Sequence, residues 1–367
     1  MGILNIPLEL LLLVAENLSL EDLSSFRSTC YQVWHILTPR FKNLCLQDVG
    51  NLTALHWAAV RNHTELIELA ISNGADIDAP LRGNMKMRAL SAADWLDRRY
   101  ASYSWLLAND RADTEAKHHM IRTPLFLAAC CGRVKAIEIL LKRGARMLYV
   151  DEVQTPAHIS AKKGDVDCMR AFIRAGFDKN ARGPKDRTIL HDAIDGGAEM
   201  VKYILQLEGG ANLVNTRTRD GSTPLHCVFT KGDRDQARLR VELLVQHGAD
   251  IHARDNRGET PADLFVQWGK VGCLRILIAA GYDFNTRGIA GRTILHVAVR
   301  GGTELMAYLL GVEGARMIID VRDDNQLTPL DLALHWRRTE VVQLLLLHGA
   351  TRRKKTSARS GRKRGRK

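Results

Sequence analysis

The amino-acid sequence predicts an all-α fold in three parts. A short helical segment covers 1–46, a solenoid of about nine helix-turn-helix units with β-hairpin fingers covers 47–350, and a disordered basic tail covers 351–367. Three observations lead there. A tetrapeptide built on Thr-Pro-Leu-His returns at a nearly constant interval. A Gly-Ala-Asp-like tripeptide returns in the same phase. The composition, 46% hydrophobic and 26% charged, is that of a folded soluble chain.

The tetrapeptide begins at Thr53, Thr123, Thr155, Thr188, Thr223, Thr260, Thr293 and Thr328, and a degenerate copy, Arg88-Ala89-Leu90-Ser91, fits midway across the first gap. The steps are then 35, 35, 32, 33, 35, 37, 33 and 35 residues. The closing tripeptide appears at Gly74, Gly144, Gly176, Gly210, Gly248, Gly281, Gly314 and Gly349, and as Arg111-Ala112-Asp113 in the degenerate copy.

The residue types follow from helix physics. Proline suits a first helical turn, where no amide hydrogen is needed. The threonine before it caps that helix. A second helix follows with its apolar stripe turned inward, as in Val241-Glu242-Leu243-Leu244-Val245. The glycine permits the left-handed residue that ends it. Residues such as Asp250-Ile251-His252-Ala253 then form the extended finger leading to the next unit. One such unit cannot bury its apolar face alone; stacking buries it. Extra residues around Lys231 to Arg238 lengthen one inter-helix turn.

On these motifs the chain resembles the ankyrin-repeat family over about Gln47 to Ala350. The resemblance implies a protein-binding solenoid whose concave face, made of fingers and first helices, meets the partner. Histidines 56, 158, 191, 226 and 296 share one repeat position, where the family uses histidine to brace the loop by hydrogen bonds. Asp263 and Asp331 replace it in two units.

Before Gln47 the period is absent. Pro7 opens a short helix, and Ser19 caps a second whose apolar residues Leu23, Phe26, Cys30 and Trp34 fall on one face. So short a segment cannot build a large core alone and needs a partner surface, in this chain or another. By itself it reads as a helical cap on the first unit. It also resembles an F-box, matching at Leu4, Pro7, Glu9 and Leu10, at Leu18, Ser19, Asp22 and Leu23, and at Arg27, Cys30 and Trp34. That resemblance implies that Leu4, Pro7, Glu9, Leu10, Leu23, Phe26, Cys30 and Trp34 dock the Skp-family adaptor of a cullin ubiquitin-ligase complex.

The net charge of +12 is local: Thr351 to Lys367 holds ten Lys or Arg and no acid, which leaves the body near neutral. Arg352, Arg353, Lys354 and Lys355 form one cluster; Arg362, Lys363, Arg364, Arg366 and Lys367 form another. Such clusters read as a nuclear localisation signal for an import receptor. No aromatic residue accompanies them, which argues against single-stranded nucleic acid. Location in the nucleus, the cytoplasm or both is expected.

No stretch of about 18 uninterrupted apolar residues is present, so no membrane span is expected. The leucine-rich start is broken by Glu9 and Glu16 and lacks a basic leader, so it does not read as a signal peptide. Ile6 stands where myristoylation needs Ser or Thr. Seven scattered cysteines with no CxxC spacing point to reduced, buried thiols. His118-His119 and Cys130-Cys131 lack the spaced partners of a zinc site. With no phosphate-binding Gly-Lys-Ser/Thr loop and no GxSxG elbow, no catalytic residue, metal or cofactor is expected.

One binding constellation stands out. Arg82, Lys117, Tyr149, Arg182, Arg217, Arg254, Arg287 and Arg322 each precede an anchor by about six residues. Stacking would align them as a ladder along the finger tips, and Arg182, Arg217, Arg254, Arg287 and Arg322 are candidates to attract an acidic target segment. Asp255 and Asp323 would partly offset that charge. The expected function is therefore an adaptor, the substrate-recognition subunit of an SCF-type ubiquitin ligase. The alternative is a nuclear ankyrin scaffold unconnected to ubiquitin.

Overall fold

The computed structural model describes residues 54–72, 74–79, 123–147, 154–229 and 234–352. The segment 1–46, most of the basic tail and the copy at Arg88 lie outside them. Every regular element among the described residues is helical. The chain divides into two units, one running to Ala161 with Asp165–Lys179, the other comprising Lys162–Gly164 and Asn180–Lys367.

The local rules read from the tetrapeptide hold in both. Each described first helix begins on the residue after its anchor: Ala54–Arg61, Pro124–Cys130, Pro156–Lys163, Ile189–Gly196, Pro261–Gln267, Ile294–Gly301 and Pro329–His335, with a 3-10 helix at Pro224–Phe229. Thr123 accepts a hydrogen bond from the amide of Phe126 at 3.2 Å, capping the first turn. The third anchor residue is fully buried in each case: Leu55, Leu125, Ala157, Leu190, Leu225, Ala262, Leu295 and Leu330. The second helices bury one face, with pairs such as Ile137 and Leu140 or Leu274 and Leu277.

In the first unit, helix Ala54–Arg61 packs directly on Pro124–Cys130, and Thr64–Ser72 packs on Val134–Lys142. Val60 joins Phe126, Leu127, Cys130 and Ile159 in one apolar cluster. Arg133 Nε donates to the carbonyl of Val60 at 2.7 Å, and the amide of Arg146 donates to Asp78 Oδ1 at 3.0 Å. The same bond joins consecutive layers elsewhere, from the amide of Asp250 to Asn215 Oδ1 at 2.8 Å. The layers begun by Thr53 and Thr123 are thus neighbours. The regular spacing placed the Arg88 copy between them; that copy lies outside the described residues.

In the second unit each helix pair packs on the next through to Thr339–Leu347. Three anchors, Thr155, Thr188 and Thr223, recur 105 residues later as Thr260, Thr293 and Thr328. The backbone follows: Lys185 and Ala290, at matching positions, both take left-handed conformations (φ 58° and 56°).

Three sequence expectations need correction. The fingers are not β-hairpins with strands among the described residues. Each is a tight turn, with a main-chain bond across its base from the amide of Gly183 to the carbonyl of Arg187, and likewise from Thr218 to Ser222, Asp255 to Glu259, Gly288 to Arg292 and Asp323 to Leu327. Their tips bond outward to neighbouring fingers instead: the amides of Arg219, Asn256 and Asp324 donate to the carbonyls of Lys185, Asp220 and Ala290. Second, the extra residues near Arg238 do not merely lengthen a turn. They extend the second helix, Arg234–Gln246, to 13 residues against nine in Val271–Ala279, because Ala237, Val241 and Leu244 continue one buried stripe. Third, Gly210 and Gly314 do not end helices in left-handed turns; they sit within short helices, Gly210–Leu213 and Glu313–Arg316.

The five described cysteines, Cys130, Cys131, Cys168, Cys227 and Cys273, are buried thiols. Burial pushes the thiols of Cys227 and Cys273 up to about 11, which suppresses thiolate reactivity. No helix among the described residues is long and apolar enough to cross a membrane.

Candidate protein-binding face

The repeat histidines hold the fingers in place. In the unit at Thr188, the amide and hydroxyl of that threonine lie 3.2 and 2.8 Å from His191 Nδ1, and His191 Nε2 lies 3.2 Å from the carbonyl of Ser222. An amide can only donate, so Nδ1 accepts and carries no proton; Nε2–H then donates to the next unit. His226 makes the same pair of links to Thr223 and Glu259, and His296 to Thr293 and Leu327. Burial, reinforced by Arg187 and Arg182, pulls the proton affinity of His191 down to about 3. Burial also lowers His226 and His296, so all three are neutral braces.

Where aspartate replaces histidine, half of this survives. Asp263 Oδ2 accepts from the amide and hydroxyl of Thr260 at 3.0 and 2.9 Å, completing a capping box. A carboxylate has no proton to offer the following finger. Asp331 caps Thr328 in the same way.

The five described ladder arginines, Arg182, Arg217, Arg254, Arg287 and Arg322, are all exposed. Their guanidinium groups also do something the spacing did not reveal. Arg182 Nη1 donates to the carbonyl of Asp186 at 2.8 Å and to that of Arg217 at 3.0 Å. Arg287 Nη1 likewise donates to Gly291 at 3.0 Å and Arg322 at 2.8 Å. Arg217 donates to the carbonyl of Arg254. Each of these three arginines ties its finger to the backbone of the next ladder arginine.

The acids expected to offset the ladder turn inward. Asp255 Oδ1 accepts the amides of Arg257 and Glu259, both at 2.9 Å. Asp323, buried, accepts those of Asn325 and Leu327 and faces Arg292 at 3.6 Å. They shape fingers rather than neutralise their tips. Thr351 and Arg352 are exposed beyond the last helix; the tail from 353 on, Arg82, Lys117, Tyr149 and all eight adaptor-docking candidates lie outside the described residues.

Sequence reasoning missed one feature. A pocket of about 180 Å³ opens between first helices and fingers, lined by Gln267, Ile289, Arg292, Val297, Arg300 and Trp336, among others. The Arg300 guanidinium lies over the Trp336 ring, 5.5 Å from its centre. A signal was present: Trp268 and Trp336 both stand eight residues after an anchor, at the polar end of a first helix. Trp268 is 61% exposed. Among the described residues no cluster of His, Cys, Asp or Glu could hold a metal.

Comparison with known proteins agrees with this architecture. The family model "Ankyrin repeats (3 copies)" matches residues 29–151, 145–217, 206–288 and 266–356. These begin inside the segment read as 1–46. The E3 ubiquitin-protein ligase KEG of Arabidopsis thaliana is 25% identical over 247 residues, 55% of this chain and 15% of that protein. The nuclear factor NF-kappa-B p105 subunit of Gallus gallus is 24% identical over 215 residues, 52% of this chain and 21% of that protein. The chain thus spans well under a third of either relative. Among solved structures, the ankyrin repeat domain of Bcl-3, a member of the IkappaB protein family, matches with a TM-score of 0.51 and 26% identity, covering 61% of this chain and 98% of that domain.

Proposed function

This chain belongs to the ankyrin-repeat family, and on that premise we propose that it is a protein-protein interaction adaptor serving as the substrate-recognition subunit of an SCF-type ubiquitin ligase. The repeats themselves point to protein binding. Their first helices and fingers are cross-braced by His191, His226 and His296 and by Arg182, Arg217 and Arg287. Such a face meets a partner without ordering itself first, which saves binding free energy.

The ligase assignment rests on one observation: the F-box-like residues Leu4, Pro7, Glu9, Leu10, Leu23, Phe26, Cys30 and Trp34 precede the repeat stack. Relatives as different as an E3 ubiquitin-protein ligase and a nuclear factor subunit match this chain, so the repeats alone do not choose between the readings. In this reading 1–46 docks the Skp-family adaptor and through it the cullin, while the stack captures the target. The chain does no chemistry itself; it raises the effective concentration of target beside ligase.

The test is co-precipitation of the full chain with a Skp-family adaptor. Recruitment that is abolished by Pro7→Asp with Leu10→Asp, in a chain that stays folded, supports the reading. No recruitment by the intact chain overturns it. The basic tail and the likeness to NF-kappa-B-type proteins favour the second reading, a nuclear scaffold. Deleting the residues after Ala350 then moves a fluorescent fusion out of the nucleus; an unchanged distribution removes the import role.

A further inference from the structure

The pocket beside Trp336 is not a general property of this repeat block. Its residues can be compared with those 105 positions earlier, where the same anchors occur. Ile289 corresponds to Pro184, Val297 to Asp192 and Arg300 to Asp195. In the earlier block Arg187 is held by its own helix, with Nε on Asp192 Oδ1 at 2.8 Å and Nη2 within 3.8 Å of Asp195. In the later block both acids are gone. Arg292 turns to buried Asp323 instead, and the vacated positions carry an aliphatic side chain and a second cation.

Most of the polar groups on the wall are already satisfied. Glu259 Oε1 accepts from Gln267 Nε2 at 2.6 Å. Asp263 is closed in its capping box with Thr260. Arg187, Arg219, Arg238 and Arg292 stand in ion pairs in this unit, and Arg300 is not in one among the described residues. What faces outward is an exposed guanidinium on an indole, next to Ile289, which is 44% exposed. Trp and Arg beside an apolar recess are the residue types that dominate binding energy at protein interfaces. At about 180 Å³ the recess is smaller than the roughly 300–1,000 Å³ of small-molecule sites and suits one side chain.

We propose that this pocket receives an acidic segment of the captured protein, one bulky apolar side chain entering between Ile289 and Trp336 and a neighbouring carboxylate pairing with Arg300. The chemistry favours peptide over nucleic acid: Ile289 and Val297 offer a base edge no hydrogen bond, and the recess admits one side chain. The proposal rests on the protein-capture reading above but not on the ligase assignment.

The experiment pans a random twelve-residue phage-displayed peptide library on the full-length chain. Enriched peptides should carry Asp or Glu within two residues of Leu, Ile, Met or Phe. Synthetic copies should bind Arg300→Glu and Ile289→Asp at least about tenfold more weakly than wild type. Arg300→Lys, which keeps the charge, should recover part of the loss. Exposed Arg257→Glu, on a finger tip, should not change binding. Circular dichroism and melting temperature establish that each variant is folded. No enrichment, enrichment without acidic residues, equal binding to both pocket variants, or displacement by a uridine twelve-mer overturns the proposal. Adaptor recruitment is read separately: its loss with peptide binding intact removes only the ligase assignment, and the converse removes only the pocket.

Discussion

His296 reaches from its own first helix to the carbonyl of Leu327, 3.0 Å away at the base of the following finger. Its other ring nitrogen takes the amide of Thr293 at 3.1 Å. One neutral side chain thus caps a helix and joins two layers, and each half can be removed separately. His296→Ala should cost about 1–3 kcal/mol, because buried groups lose their partners. His296→Asp, which keeps the cap as Asp263 does, should cost less. Urea unfolding of the two variants measures the difference; equal losses would show that the bond between layers contributes nothing.

Acid should destabilise the protein through the same histidines. Folded His191 takes up its proton near pH 3, whereas the unfolded side chain does so near pH 6.5. Between these values unfolding takes up a proton, so stability is complete above about 6.5 and falls as pH drops towards 3. His226 and His296, also lowered, add to the fall in the same direction. Melting temperature measured from pH 7 to 4 should decline, and less steeply in His191→Gln. A flat profile would contradict the neutral-brace assignment.

Two glycines with similar backbone should respond differently to alanine. Gly221 (φ 78°) and Gly248 (φ 83°) are both left-handed, so each substitution carries a conformational cost of about 1 kcal/mol. At Gly248 the added methyl meets nothing within 4 Å. At Gly221 it would lie 2.8 Å from the backbone nitrogen of Asn256, in the next finger. Gly221→Ala should therefore be the more damaging by a further 1–2 kcal/mol or so, since fingers must separate. Equal destabilisation would mean that the fingers are not closely stacked.

The arginine ladder makes a prediction different from the one its charge suggests. Arg287→Ala should lower stability by about 0.5–1.5 kcal/mol, the range of an ordinary hydrogen bond. It should also speed amide exchange over residues 288–292 and 322–327. Arg287→Glu should do the same, with little further loss. If stability and exchange are unchanged, the guanidinium acts only as surface charge.

The sequence determined the local architecture on its own. The period, the threonine caps and the bracing histidines were legible, because each depends on residues within about one unit of one another. Thr260 with Asp263, or Thr293 with His296, is a spacing before it is a contact. The tertiary structure decided what depends on distant partners. A regular interval does not say which layers meet; Arg133 bonds to Val60 and Arg146 to Asp78, so the layers at Thr53 and Thr123 adjoin. A row of arginines read as free charge, yet Arg182 and Arg287 donate to carbonyls 35 residues away. The pocket at Trp336 combines residues from three successive units. The physical reason is common to all three. Helix propensity and capping act over a few residues of chain, whereas hydrogen-bond partners and recesses are set by which layers meet.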